Sequence, residues 1–121
     1  MTLNQTEELL KSAAAEAAGE ELTVFSGCMP LGARRAALVT IKSANCGNDD
    51  SDEFIFTITL RSPDRKTLLR DAENVRRSLA EIIHGNLILE LLPQDLITEG
   101  VKGEFLWTWQ TSFDIRIFEN I

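Results

Sequence analysis

Between Glu53 and Gly85 the chain changes its hydrophobic period once, and that change limits what it can fold into. The stretch reads EFIFTITLRSPDRKTLLRDAENVRRSLAEIIHG. Phe54, Phe56, Ile58 and Leu60 alternate with Ile55, Thr57, Thr59 and Arg61, the period of a strand with one buried and one half-wet face. Beyond Ser62-Pro63-Asp64, Leu68, Ala72, Val75, Leu79 and Ile82 recur at steps of four and three, the stripe of an amphipathic helix. Ser62 is placed to cap that helix, Pro63 suits its first turn, and Asp64 complements its dipole. His84 in a last turn and Gly85 just beyond it are stop signals.

The flanking segments supply more strand material. Asn4 is placed to cap a first helix, with Glu7 as capping-box partner and Leu3 at the staple position. Leu9, Leu10, Ala13, Ala14 and Ala17 form its narrow apolar stripe, and Gly19 is placed to end it. LTVFS (Leu22–Ser26) reads as a short strand, followed by a loop punctuated by Gly27, Pro30 and Gly32. AALVTIK (Ala36–Lys42) is a second strand, with Arg34 and Arg35 before it in solvent. Ser43–Asp52 is a polar loop; its Asn48, Asp50, Asp52 spacing lacks the glycine and bidentate glutamate of a calcium loop, so it reads as a solvated hairpin loop.

Leu87–Leu92 fits a strand or a short helical turn, because brief apolar runs carry no readable period. Pro93 ends it, and Gln94–Gly100 fits a loop or a short edge strand. Glu104–Glu119 is a long strand. Phe105, Trp107, Trp109, Phe113, Ile115 and Ile117 share one face and are expected in the core; Thr108, Gln110, Ser112, Asp114 and Arg116 take the other. Strands joined by polar loops predict antiparallel pairing. The expected fold is α+β and two-layered: a curved, mostly antiparallel sheet with an N-terminal and a central helix against it. The 121 residues suit a single domain, 1–121, with one modest core.

The inventory for catalysis is thin. The chain has one histidine and no tyrosine, and no nucleophile elbow, phosphate loop or dinucleotide fingerprint occurs. His84 at a helix end reads as a dipole-compensating residue rather than a general base. Cys28 and Cys46 lack the paired spacings of a zinc site and read as free thiols in a reducing compartment. Neither an enzymatic activity nor a cofactor or metal is expected. No apolar run approaches the roughly 20 residues of a membrane span, and the acid-bearing start MTLNQTEELL is no signal peptide; the expectation is residence in the cytoplasm where the chain is made.

Charge is distributed unevenly. The net charge of −7 argues against a dedicated nucleic-acid binder, whose affinity rests on a basic surplus. Yet Arg61, Arg65, Lys66, Arg70, Arg76 and Arg77, half of the 12 basic residues, lie in one short stretch. Acids gather in the first helix and at Asp49, Asp50, Asp52 and Glu53. A basic face on one copy meeting an acidic face on the next would be a heterologous contact, which closes into a ring if the rotation permits. Arg65, Lys66, Arg70, Arg76 and Arg77, with Asp49, Asp50 and Asp52, are therefore the candidate interface residues.

The arrangement resembles the tail terminators and related tail-completion, minor capsid-like proteins of tailed bacteriophages and prophages. The matching parts are the leading helix EELLKSAAAEAAG, the VFSGCMP turn, the strand-to-helix run above and the closing FLWTWQTSFDIRIFE. The resemblance spans nearly the whole chain as a pattern of elements, with Leu87–Gly103 fitting least. It implies a ring, of six subunits, that caps the tail tube, meets the tail tube protein and the head–tail connector, and lets DNA pass without specific binding. The protein would be a virion component, assembled in the host bacterial cytoplasm and acting through shape and charge rather than chemistry. The alternative is a small cytoplasmic α+β module that binds a ligand or regulates. A third possibility is an enzyme with a dispersed site around His84.

Overall fold

The computed structural model describes residues 3–18, 22–30, 33–46, 52–81, 87–92, 98–102 and 107–119. Among these residues, two helices and six strands follow in the order α1 (Leu3–Ala18), β1 (Thr23–Ser26), β2 (Ala36–Cys46), β3 (Asp52–Ser62), α2 (Arg65–Ala80), β4 (Leu87–Leu91), β5 (Glu99–Lys102) and β6 (Trp107–Glu119). The strands form one open sheet in the order β1-β2-β3-β6-β4, with β5 also paired to β6. Both helices lie on the same side, in contact with each other: α1 over β1 and β2, α2 over β3, β4 and β6. This is the two-layer α+β arrangement that the periods predict.

The β3–α2 unit sits at its centre. On β3, Phe54, Phe56, Ile58 and Leu60 are buried while Ile55, Thr57, Thr59 and Arg61 are half-buried. The register sets Phe54, Phe56 and Ile58 beside Ile117, Ile115 and Phe113 of β6. Leu68, Ala72, Val75 and Leu79 of α2 close over that layer, with Leu10 and Ala14 of α1 completing the core. Burying each large side chain contributes roughly 1.5–3 kcal/mol.

Several boundaries differ from the expectation. α2 is capped by Asp64, not Ser62: the carboxylate accepts from the Thr67 backbone N–H at 3.0 Å and from its hydroxyl at 2.8 Å. Ser62 is the last, buried residue of β3. The extra strand residue shifts the turn, so the carboxylate rather than the hydroxyl meets the orphan amides. α1 begins at Leu3, so Asn4 and Leu3 belong to its first turn instead of cap and staple. Thr6 joins the buried stripe. β2 runs to Cys46, so SANC, expected to open the polar loop, is strand paired with β3. Leu87–Leu91 is a strand on β6, and the short edge strand lies at Glu99–Lys102.

One pairing breaks the antiparallel rule. β1 and β2 are parallel, with Thr23 opposite Ala36 and Ser26 opposite Val39. Gly27, at φ 86°, turns the chain out of the sheet in a conformation that suits glycine, and the Ala33 N–H donates to the Pro30 carbonyl in the return. Ile82, His84, Gly85, the Asn48–Asp50 loop tip and Phe105 fall outside the described residues.

Candidate functional site

The residues of α2 were expected to present one basic face; the helix separates them. At 3.6 residues per turn, Lys66, Arg70 and Arg77 fall opposite the buried Leu68–Val75 stripe, and all three are exposed. Arg77 holds Glu73 one turn back at 2.6 Å. Arg65 and Arg76 lie on the flank that faces the β4–β5 margin. Arg65 donates to the Thr98 hydroxyl at 3.2 Å. Arg76 is half-buried, its guanidinium 5.6 Å from the centre of the Phe113 ring, a cation–π distance. Its Nε finds no hydrogen-bond partner among the described residues. Arg76 is thus part of the packing as well as of the surface. A shallow groove of about 480 Å³ runs beside it, lined by Leu69, Glu73, Arg76, Arg77, Ala80 and Leu91.

Arg35 corrects the expectation more sharply. It is not in solvent: Nε and Nη2 donate to the two carboxylate oxygens of Asp71 at 2.9 and 2.7 Å. The Asp71 side chain is only 3% exposed. A planar guanidinium fits a carboxylate in this two-pronged way, which lysine cannot match. The pair ties α2 to the entry of β2. Sequence reasoning missed it because the partners are 36 residues apart; the one local sign was an aspartate set inside an apolar helix stripe.

The tryptophans are the second correction. Trp107 is 66% and Trp109 37% exposed, so neither is a core residue. They keep the parity of Phe113, Ile115 and Ile117 but not their burial. Trp109 pairs with Ser62, the last residue of β3, where the chain leaves the sheet to enter α2. Trp107 lies two residues further out and, among the described residues, pairs only with Lys102 of β5. Its ring lies 3.7 Å from where a Cβ at Gly100 would stand, an ordinary contact distance.

Among the described residues, no helix or strand covers the face of the sheet away from the helices, and that face carries a ladder of polar groups. Lys42 reaches Asp114 at 2.6 Å, and the Thr57 hydroxyl donates to the same carboxylate at 2.8 Å. Thr59 and Ser112 share a hydrogen bond of 2.9 Å, and Arg61 donates to Gln110 at 3.3 Å. Arg116 bridges Glu53 at 2.9 Å and Glu90 at 3.4 Å while lying over the Phe118 ring. Asp114, Glu53 and Glu90 neutralise Lys42 and Arg116 of this face, while Arg61 binds the neutral Gln110. Pairs this exposed add little stability each; their effect is to leave a hydrophilic surface with its charge spent internally.

Nothing among the described residues gathers into a reaction centre. No group of three histidine, cysteine, aspartate or glutamate side chains stands close enough to hold a metal. Cys28 is an exposed free thiol, and no helix is long and apolar enough to cross a membrane. The acidic set at Asp49 and Asp50 is outside the described residues; Asp52 opens β3 opposite Cys46.

No family model and no curated protein matches the chain. Among solved structures, it is similar to a chain of "Virion of native gene transfer agent (GTA) particle", with 13% identity over 95% of this chain and 87% of that one. The TM-score of that likeness is 0.43, too low to carry an argument.

Proposed function

We propose that this chain is a structural component of a phage or prophage virion, a tail terminator or head–tail joining protein that assembles as a ring on the tail tube. The carrying observation is the two-faced sheet. One face is filled by α1 and α2; the other, uncovered among the described residues, has Lys42 and Arg116 paired with carboxylates of the same molecule. An open, hydrophilic face without a one-sign field suits a lining past which DNA moves without being held, since retention of a duplex depends on neutralising its phosphates. The sequence pattern shared with tail-completion proteins supports the same reading and brings the six-fold ring, the tail tube protein and the head–tail connector as partners. The site of action is the virion, after assembly in the host cytoplasm. The mechanism is complementarity of shape and charge, with the Lys66, Arg70 and Arg77 ridge meeting acids of a neighbouring subunit.

The test is molar mass in solution across a wide concentration range, alone and with purified tail tubes, combined with particle imaging. Rings of uniform size, or tubes whose ends stop growing once capped, are the expected result. A monomer under every condition, leaving tube growth unchanged, defeats the proposal. The groove between α2 and β4 favours the second reading, a small ligand-binding module; stabilisation by one metabolite class in a thermal-shift screen would select it.

A further inference from the structure

We infer that β4 of one copy pairs with the uncovered half of β2 of the next, so that the sheet continues from subunit to subunit; this rests on the ring reading above. The sheet has two margins. On one, β1 covers β2 only from Ala36 to Val39, while β2 continues to Cys46. Among the described residues, no strand pairs with the outer edge from Thr40 onward. On the other margin, β4 is bound to β6 on one side and has no described strand on its other side. An uncovered strand edge presents a row of unpaired backbone donors and acceptors and accepts a further strand.

The molecule already contains this arrangement once. β6 shares a single flank between two short strands, β5 against Trp107–Gln110 and β4 against Ile115–Glu119. β2 has the same division, with one half of its flank taken by β1 and the other half vacant. Direction agrees too. β2–β3, β3–β6 and β6–β4 are all antiparallel, so β4 runs opposite to β2. A copy joined without inverting its sheet brings β4 to β2 in the antiparallel sense. Within one copy the two edges cannot meet, because β3 and β6 stand between them; the contact is heterologous and propagates.

The side chains at the two margins fit this junction. The exposed large apolar residues among those described are Ile41, Ile88, Trp107 and Trp109, and the first two lie one at each margin. Ile41 belongs to the helix side, with Leu89 and Leu91 of an arriving β4 on that same side. Lys42 and Ser43 lie on the open side, where Ile88 and Glu90 arrive. The register shift between Ile41 and Ser43 interrupts the edge, so the flat template begins at Ser43. Ser43–Cys46 gives it four residues, one fewer than the five of β4.

The test uses the full chain with Cys28→Ser and Cys46→Ser, carrying Ser43→Cys and Ile88→Cys. A short bismaleimide, which tolerates a residue of register, is added after mass measurement, and circular dichroism confirms the fold. The expected result is a ladder of covalent multimers from the 43/88 pair and none from either single-cysteine variant, Ser43→Cys or Ile88→Cys. Assemblies of ring mass that give no 43/88 ladder overturn this junction but not the ring. A folded protein that stays monomeric alone and with tail tubes, and gives no ladder, overturns both.

Discussion

Arg35 and Asp71, 36 positions apart, lock the entry of β2 to the middle of α2 through two parallel hydrogen bonds of 2.9 and 2.7 Å. Removing either partner leaves the other without its counter-charge at a site where the carboxylate is almost fully enclosed. Arg35→Ala is expected to cost about 3 kcal/mol of stability, in the range for broken buried pairs. The double variant Arg35→Ala, Asp71→Leu should cost less than the sum of the single changes, because no orphan charge remains. Urea unfolding of the four proteins measures both.

Phe113 and Trp107 share a strand and a parity but not an environment. Phe113→Ala is expected to lose about 3–5 kcal/mol, the cost of emptying a core aromatic site. Trp107→Ala should stay within about 1 kcal/mol of the parent. Denaturant midpoints decide this. A large loss at Trp107 would mean that its ring is covered.

Asp64 caps α2, and its carboxyl is held below its ordinary value of 3.8, chiefly by the Thr67 hydroxyl and then by the Thr67 N–H. A lowered folded-state value adds stability above 3.8 that is lost as pH falls through the folded value. Asp64→Ala should therefore lower the unfolding midpoint near neutrality, and the gap to the parent should narrow below 3.8. Asp64→Asn, which keeps an acceptor, should lie between them.

Lys66 and Arg70 are the ridge positions where charge can be reversed without touching the core. Lys66→Glu with Arg70→Glu should shift assembly to a higher protein concentration while leaving the thermal midpoint nearly unchanged, and added salt should weaken assembly of the parent in the same direction. Arg76→Glu is different: with Phe113 under its guanidinium, it should lower stability as well. Light scattering beside thermal unfolding separates the two outcomes.

What could be read from the chain was whatever lies within one element. The period switch at Ser62–Asp64 placed β3 and α2 and told their faces apart, because alternation and the 3.6-residue repeat are local consequences of backbone geometry. The same logic gave α1 and the faces of most of β6. The cap fell two residues from its expected place, since Ser62 and Asp64 both offer an acceptor and only the strand's true end selects between them.

The sequence by itself determined most element types, though not those of Ser43–Cys46 and Leu87–Leu92, together with the two-layer class and most of the apolar faces. The tertiary structure alone decided which parts of those faces are covered. Parity marks Trp107 and Trp109 as equals of Ile115, but coverage depends on what packs over each position: Ile115 is fully buried, while the tryptophans are 66% and 37% exposed. Pairing is likewise non-local: Arg35 reaches Asp71, β1 lies parallel to β2, and β2 outruns β1 to leave a free edge. Each depends on distances between elements, which no residue's neighbours in the chain encode.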